Sequence, residues 1–239
     1  MPLWSTAGSP TRTVGPVRST SEEHAAVAFA DLAGFTALTD AHGDADALEV
    51  ADRLFAIAER VTGEHVRVVK TIGDAVMLAS GDAALAVTAV FNLVAAVHVE
   101  PRFPMIKVGL DAGPVLVRDG DLFGRTVNVA SRVASVAEPG HILGTDPIAA
   151  AAAATGCAET IAVGPVSLRN IPDPVRLFEV RRCDRGFDEH TAVDPVCRMR
   201  VGTPEEHPTR TYAGRAWYFC SEECADRFVA EPTRFVVGL

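Results

Sequence analysis

Two hydrophobic periods alternate along this chain. From Ala25 an apolar run, Ala-Ala-Val-Ala-Phe-Ala, ends on Asp31, the profile of a buried strand that meets solvent at its last residue. Asp46 to Thr62 follows a different rule: Val50, Leu54, Ile57 and Val61 recur at helical spacing and predict an amphipathic helix. His65–Thr71 and Ala75–Ala79 return to strand-like runs around Ile72-Gly73-Asp74, which reads as a hairpin. Asp82 opens a second helix, Ile106–Asp111 and Gly113–Arg118 predict two further strands, and Thr126–Ala137 predicts a helix that stops near Pro139-Gly140. The Ala149–Ala154 run is helical because alanine has the best intrinsic propensity. Val166–Arg169 and Val175–Val180 predict closing strands around Pro172-Asp173-Pro174. Strand, helix, strand, strand, helix, strand is the split unit of a ferredoxin-like α+β sheet.

Composition divides the chain. Residues 1–22 are rich in Ser, Thr, Pro and Gly, with Trp4 an isolated aromatic, and predict a disordered lead-in. Residues 23–182 make the main domain, 183–191 a charged linker carrying Gly186, and 192–239 a second unit of different character. At 239 residues there is room for one domain of ordinary size and a small one. A net charge of −9 argues against a nucleic-acid partner. The apolar stretch Ala83–Val99 is interrupted by Thr88, Asn92 and His98 and falls short of a membrane span. No basic segment followed by an apolar run opens the chain, so no signal peptide is expected. Five cysteines, an odd number, suit a reducing compartment better than a disulfide framework, and the expected location is the cytoplasm.

Three segments then change the picture. Asp31 ends the first strand in Phe29-Ala30-Asp31-Leu32-Ala33-Gly34-Phe35-Thr36, and Asp74 sits at the tip of the hairpin. Alone, each reads as a turn or capping acid. Together they are two hard carboxylates of the kind that hold Mg²⁺ or Mn²⁺ on a nucleoside triphosphate. The chain has two lysines, Lys70 and Lys107, among 22 basic residues, so a lysine four residues before Asp74 suggests a task that arginine would not serve. The third segment runs from Asp121 to Arg132, where Asn128 and Arg132 are i and i+4 on one helix face. Backbone amides from Ala33 to Thr36, at a helix start, offer a cradle for phosphates.

Residues 25–182 resemble a class III nucleotidyl cyclase catalytic domain throughout. The resemblance implies that Asp31 and Asp74 hold two Mg²⁺ or Mn²⁺ ions, that Lys70 and Asp121 select adenine, and that Asn128 and Arg132 engage the ribose and the phosphate in the transition state. Lys70 would donate to adenine N1 and Asp121 would accept from the exocyclic amine; guanine presents the opposite pattern, so the pair implies ATP. Phe35 and Thr36 would flank the triphosphate. Many relatives read Leu-Lys-Gly where this chain has Leu168-Arg169-Asn170, so Arg169 stands where that lysine would contact phosphate, although a solvated strand-end arginine explains it better. The family pairs the metal aspartates of one subunit with the base-selecting and transition-state residues of another, which implies a homodimer making cyclic AMP. The alternatives are a guanylate or dual-specificity cyclase, and a non-catalytic nucleotide or metal sensor.

The tail resembles a YHS domain, a small treble-clef-like relative of the TRASH metal-binding modules. Asp194-Pro195-Val196-Cys197-Arg198-Met199 and Tyr218-Phe219-Cys220-Ser221-Glu222-Glu223-Cys224 carry the likeness, with Arg198 where that family commonly has glycine. Cys197, Cys220 and Cys224 are soft ligands suited to Zn²⁺ or Cu⁺. Structural zinc takes four ligands, and Asp194, Met199 and His207 are the candidates for the fourth. Cys157 and Cys183 lack partner spacing and read as ordinary thiols.

Overall fold

A computed structural model of the chain describes residues 20–183, 192–202 and 207–236. Trp4 and Gly186, with most of the lead-in and linker, lie outside the described residues. Four strands form the centre: β1 (Ser21–Leu32), β2 (Arg67–Ile72), β3 (Ala75–Ser80) and β4 (Ile106–Arg118). They lie in the order β2-β3-β1-β4, all antiparallel, as the ferredoxin-like expectation requires. The sheet continues through β6 (Ile142–Thr145), parallel to β4, then β8 (Val175–Arg182) and β7 (Ala158–Val166). A three-residue strand, β5 (Asp121–Phe123), folds back on the end of β4.

The two faces of β1 build two cores, as the strand period of two dictates. Ala26, Ala28 and Ala30 are buried with Leu54 and Ile57 of helix α2 (Asp44–Val61) and Val90 and Leu93 of α3 (Ala83–Val99). Ala25, Val27 and Phe29 face the other way, against Leu122 and against Ala130 and Ala134 of α4 (Arg125–Val136). Asp31 continues this second series. Helix α4 lies so close to the sheet that a Cβ on Gly109 would stand 2.0 Å from the backbone nitrogen of Ala134. Asp82 caps α3 by accepting from the backbone N–H groups of Ala84 and Leu85 at 2.8 and 3.2 Å.

Several boundaries differ from expectation. Ser21 and Glu22, assigned to the lead-in, already pair with Val117 and Leu116 of β4. The two strands expected between Ile106 and Arg118 are one, because β1 pairs with it without interruption across Gly113-Pro114. Strand β7 ends at Val166, where the closing strand was expected to begin; its Ala, Thr and Gly residues carry too little apolar contrast to show a period. Strand β6 went unread: four consecutive buried residues give no alternation to detect. The expected Asp46–Thr62 helix is preceded by a separate one, α1 (Phe35–His42), and Gly43, at φ 88°, turns the chain between them. The alanine-rich helix, α5 (Asp146–Ala154), is present as expected.

The tail is a knuckle, a hairpin and a helix. Strands β9 (Ala192–Val193) and β10 (Arg200–Val201) pair across the knuckle, β11 (Thr209–Tyr212) and β12 (Arg215–Tyr218) form the hairpin, and α6 (Glu222–Ala230) and α7 (Pro232–Phe235) follow. Its centre is aromatic: Phe228 packs 5.1 Å from Phe219, 5.4 Å from Trp217 and 5.9 Å from Tyr212, ring centre to ring centre. The module shares an apolar cluster with the α2–α3 side of the sheet. Buried Arg200 anchors it there by donating to the carbonyls of Val97, His98, Glu100 and Phe103, at and just beyond the C-terminus of α3 where a cation complements the helix dipole.

Candidate active site

Asp31 and Asp74 are brought together by adjacent strands, since Asp31 pairs with Ala75 across β1 and β3. Burial first, and the neighbouring Asp31 carboxylate second, push the Asp74 carboxyl up to about 6. Two acidic groups competing for ionisation in one half-buried corner form a donor set that a hard divalent cation would satisfy. A third residue, which sequence reading missed, already touches this corner. Lys107, opposite Asp31 on β4, places its Nζ 2.9 Å from Asp31 Oδ2. The rarity of lysine in this chain was the signal that could have found it.

Lys70 and Asp121 also meet, Nζ to Oδ2 at 2.7 Å, although 51 positions separate them in the chain. The β4–β5 hairpin makes the contact by curling over β2, where Arg67 additionally donates to the Gly120 carbonyl at 2.7 Å. Desolvation alone would raise Asp121, but the hydrogen bond and charge of Lys70 and the N–H of Leu122 outweigh it and hold the carboxyl below its usual range. Phe123 lies 5.7 Å under the Lys70 ammonium and is partly exposed. Asn128 and Arg132 project from α4 on the side away from its buried Thr126, Val129, Ala130 and Val133. Asn128 is exposed, and Arg132 makes no side-chain hydrogen bond or ion pair among the described residues.

The phosphate cradle is smaller than expected. Ala33 donates its N–H to the Met105 carbonyl at 2.8 Å, which removes it from the cradle. Gly34, at φ 79°, turns the chain into α1 without a side-chain cap, leaving the first amides of the helix directed outward beside Phe35 and Thr36. Arg169 is exposed in the turn after β7, beside Leu168, which packs under α4; none of its described contacts reaches the other candidate residues. A cavity of about 380 Å³ lies elsewhere, between α3 and β8, and no candidate residue lines it.

The tail cysteines converge on a residue outside the tail. Cys197 Sγ is 3.4 Å from Cys220 Sγ, which is 3.7 Å from Cys224 Sγ; His42 Nε2, at the end of α1, is 3.6 Å from Cys220 Sγ and 3.7 Å from Cys224 Sγ. Hydrogen bonds from Cys197 and then Cys220 pull the Cys224 thiol down to about 4, while bonds to Cys220 and then Cys224 push Cys197 up. Asp194 does not join them. Its carboxylate accepts from the backbone N–H groups of Val196, Cys197 and Cys220, at 2.8, 3.4 and 2.8 Å, and so shapes the knuckle that presents two of the sulfurs. His207 also lies outside the cluster, and Met199 pairs through its backbone with Asp194 and Pro104. Arg198 adopts φ 66°, a conformation that favours glycine, and its side chain lies over Gly34: a Cβ there would meet Arg198 Cγ at 2.5 Å. Cys157 is half-buried and Cys183 exposed, both free and apart from the cluster.

Comparison with known proteins places this geometry. Residues 17–171 match the adenylate and guanylate cyclase catalytic domain, and residues 192–238 match the YHS domain. A pH-sensitive adenylate cyclase of Mycobacterium tuberculosis is 43% identical over 160 residues, which cover 65% of this chain and 40% of that protein. An adenylate cyclase of Streptomyces coelicolor is 39% identical over 119 residues, 49% of this chain and 31% of that protein. The chain thus spans less than half the length of these relatives. The catalytic core of a rhodopsin-guanylyl cyclase with converted specificity, solved in complex with ATPαS, is 27% identical, with a TM-score of 0.60 over 69% of this chain and 99% of that one. The adenylyl cyclase CyaB from P. aeruginosa shares the fold, with a TM-score of 0.61 at 21% identity over 70% of this chain and 100% of that one.

Proposed function

Because the chain belongs to the family of adenylate and guanylate cyclase catalytic domains, we propose that it converts ATP to 3′,5′-cyclic AMP and pyrophosphate in a site completed by a second copy of itself. The observation that carries the reading is that one chain forms both halves of such a site, the Lys70–Asp121 contact that would read the base and the Asp31–Asp74 corner that would hold the cations, so two copies would complete each other. Lys70 is a donor only and ionised Asp121 an acceptor only, which matches adenine N1 and its 6-amino group rather than the N1 donor and O6 acceptor of guanine.

In the proposed reaction the ribose 3′-hydroxyl gives its proton to solvent water and its oxygen attacks the α-phosphorus. The new O3′–Pα bond replaces the bond to the β-phosphate oxygen, and pyrophosphate leaves with that electron pair. Asp31 and Asp74 would hold two Mg²⁺ or Mn²⁺ ions; when bound, these supply Lewis acidity for the attacking hydroxyl and charge neutralisation for the departing pyrophosphate. Arg132 presents a planar fork to the α-phosphate oxygens as charge develops there. Asn128, one turn before it, orients the ribose. The amides at the start of α1, with Phe35 and Thr36, receive the triphosphate, and Arg169 is left with a solvent role.

Two features support a homodimer. Asn128 and Arg132 face outward rather than across their own sheet, and Ile72 and Phe123 expose apolar surface at the rim, 50% and 38% respectively. A partner covering this rim would exclude water from the reacting phosphates. No described helix is long and apolar enough to cross a membrane. With Mn²⁺ and ATP the purified protein should form cyclic AMP, and Asp74→Ala should reduce the rate by roughly 10²-fold or more. Turnover in Asp74→Ala equal to that of the parent removes the reading.

A further inference from the structure

We infer that His42 of the catalytic domain and Cys197, Cys220 and Cys224 of the tail form one tetrahedral zinc site that staples the two units together. The four ligand atoms lie within 4.8 Å of one another. A tetrahedral Zn²⁺ with bonds of about 2.3 Å to sulfur and about 2.0 Å to nitrogen implies S···S edges of about 3.8 Å and S···N edges of about 3.5 Å. Four of the six edges are 3.4 and 3.7 Å between sulfurs and 3.6 and 3.7 Å from sulfur to the imidazole, and the other two, from Cys197 to Cys224 and to His42, are within 4.8 Å. Sulfurs that merely fill a core have no reason to adopt the edges of a coordination polyhedron around a shared centre. Three sulfurs and one imidazole, with no further His, Cys or carboxylate donor in the cluster among the described residues, make a closed set, the character of a structural zinc site rather than a catalytic one, and favour Zn²⁺ over Cu⁺.

The surroundings are built to hold these ligands. Both Asp194 oxygens are occupied by backbone N–H groups of the loops that carry Cys197 and Cys220. Ser221 caps α6 by accepting from the Cys224 N–H at 3.3 Å, which fixes the third sulfur one turn into the helix. His42 is the last residue of α1, and Arg227 of α6 donates to the Asp40 carbonyl in the same turn at 2.8 Å. So short a module has a thin core and gains from a metal. The ion would therefore fix the C-terminal end of α1. On the cyclase reading alone, the other end of that helix receives the triphosphate, so zinc occupancy would hold the cradle in place.

Metal analysis of the purified full chain should find about one zinc per chain, and X-ray absorption at the zinc edge should find three sulfurs and one imidazole nitrogen around it. The Co²⁺-substituted protein should show thiolate charge-transfer bands and intense tetrahedral d–d bands. His42→Ala should lower Co²⁺ affinity at least about tenfold, His42→Cys should restore it with a four-sulfur spectrum, and the amides of α1 should exchange faster after zinc removal. Four sulfurs, or three with a water, in the parent protein overturns the inference even if His42→Ala fails to fold. So does Co²⁺ binding by His42→Ala that matches the parent, preferential Cu⁺ uptake without zinc, or a Cys197–Cys220 disulfide in the reduced-lysate protein. A three-sulfur, one-imidazole zinc in a chain that never turns over nucleotide upholds the staple and removes only the cyclase reading.

Discussion

Asp74 carries two consequences that separate under titration. Its carboxyl holds a proton up to about 6 in the folded, metal-free chain, against 3.8 ordinarily. Between those values the folded state binds more protons than the unfolded one, so stability from this group is greatest at low pH and is lost as pH rises through about 6. Thermal unfolding in EDTA should therefore show a loss between pH 4 and 6.5 that Asp74→Asn diminishes, and added Mn²⁺ should raise the midpoint more at pH 7.5 than at pH 5. Lys70 separates stability from specificity instead. Its ion pair with Asp121 is partly exposed, so Lys70→Glu should cost no more than about 1 kcal/mol in unfolding measurements. On the proposed reading the same change puts an acceptor where Lys70 would donate to adenine N1, and the ratio of ATP to GTP turnover should fall by about 10²-fold.

At the scale of elements, α4 positions its polar residues only because β4 lets it approach. A side chain at Gly109 would strike the backbone of Ala134 at 2.0 Å, and a helix backbone cannot rotate out of the way as a flexible side chain can. Gly109→Ala should destabilise by about 3 kcal/mol in denaturant unfolding, and activity should fall further than stability explains, because displacing α4 moves Asn128 and Arg132 together. The helices that sequence periodicity revealed, α2 and α4, are those with a continuous apolar stripe against the sheet. Strand β6 and the extent of α1, of which only the start at Ala33–Thr36 was read, were illegible for opposite reasons. Four buried residues have no polar alternation, and an eight-residue helix ended by Gly43 is too short to display a period.

At the scale of the molecule, the open rim and the outward Asn128 and Arg132 predict complementation between chains. Asp74→Ala and Arg132→Ala should each be nearly inactive alone. Mixed and re-associated in equal amounts, they should recover about a quarter of parental activity, since half of randomly paired dimers hold one intact site of two. No recovery, with mixed dimers verified by sedimentation of tagged chains, would place all the working residues within one chain. The tail enlarges this unit through Arg200 at the end of α3 and the Cys/His cluster at the end of α1, so the module grips helices that pack on the face of the sheet opposite α4.

Local chemistry was legible in the linear order of residues: strands ending in acids, a helix bearing Asn128 and Arg132 one turn apart, and three cysteines at knuckle spacing were readable because each depends on neighbours in the chain. Contacts between remote segments were not. Nothing near His42 marks it as a partner of Cys220, 178 positions away, and nothing near Lys107 tells that it faces Asp31; both follow from how helices and strands pack, where a side chain's neighbours are chosen by register and approach rather than by sequence distance.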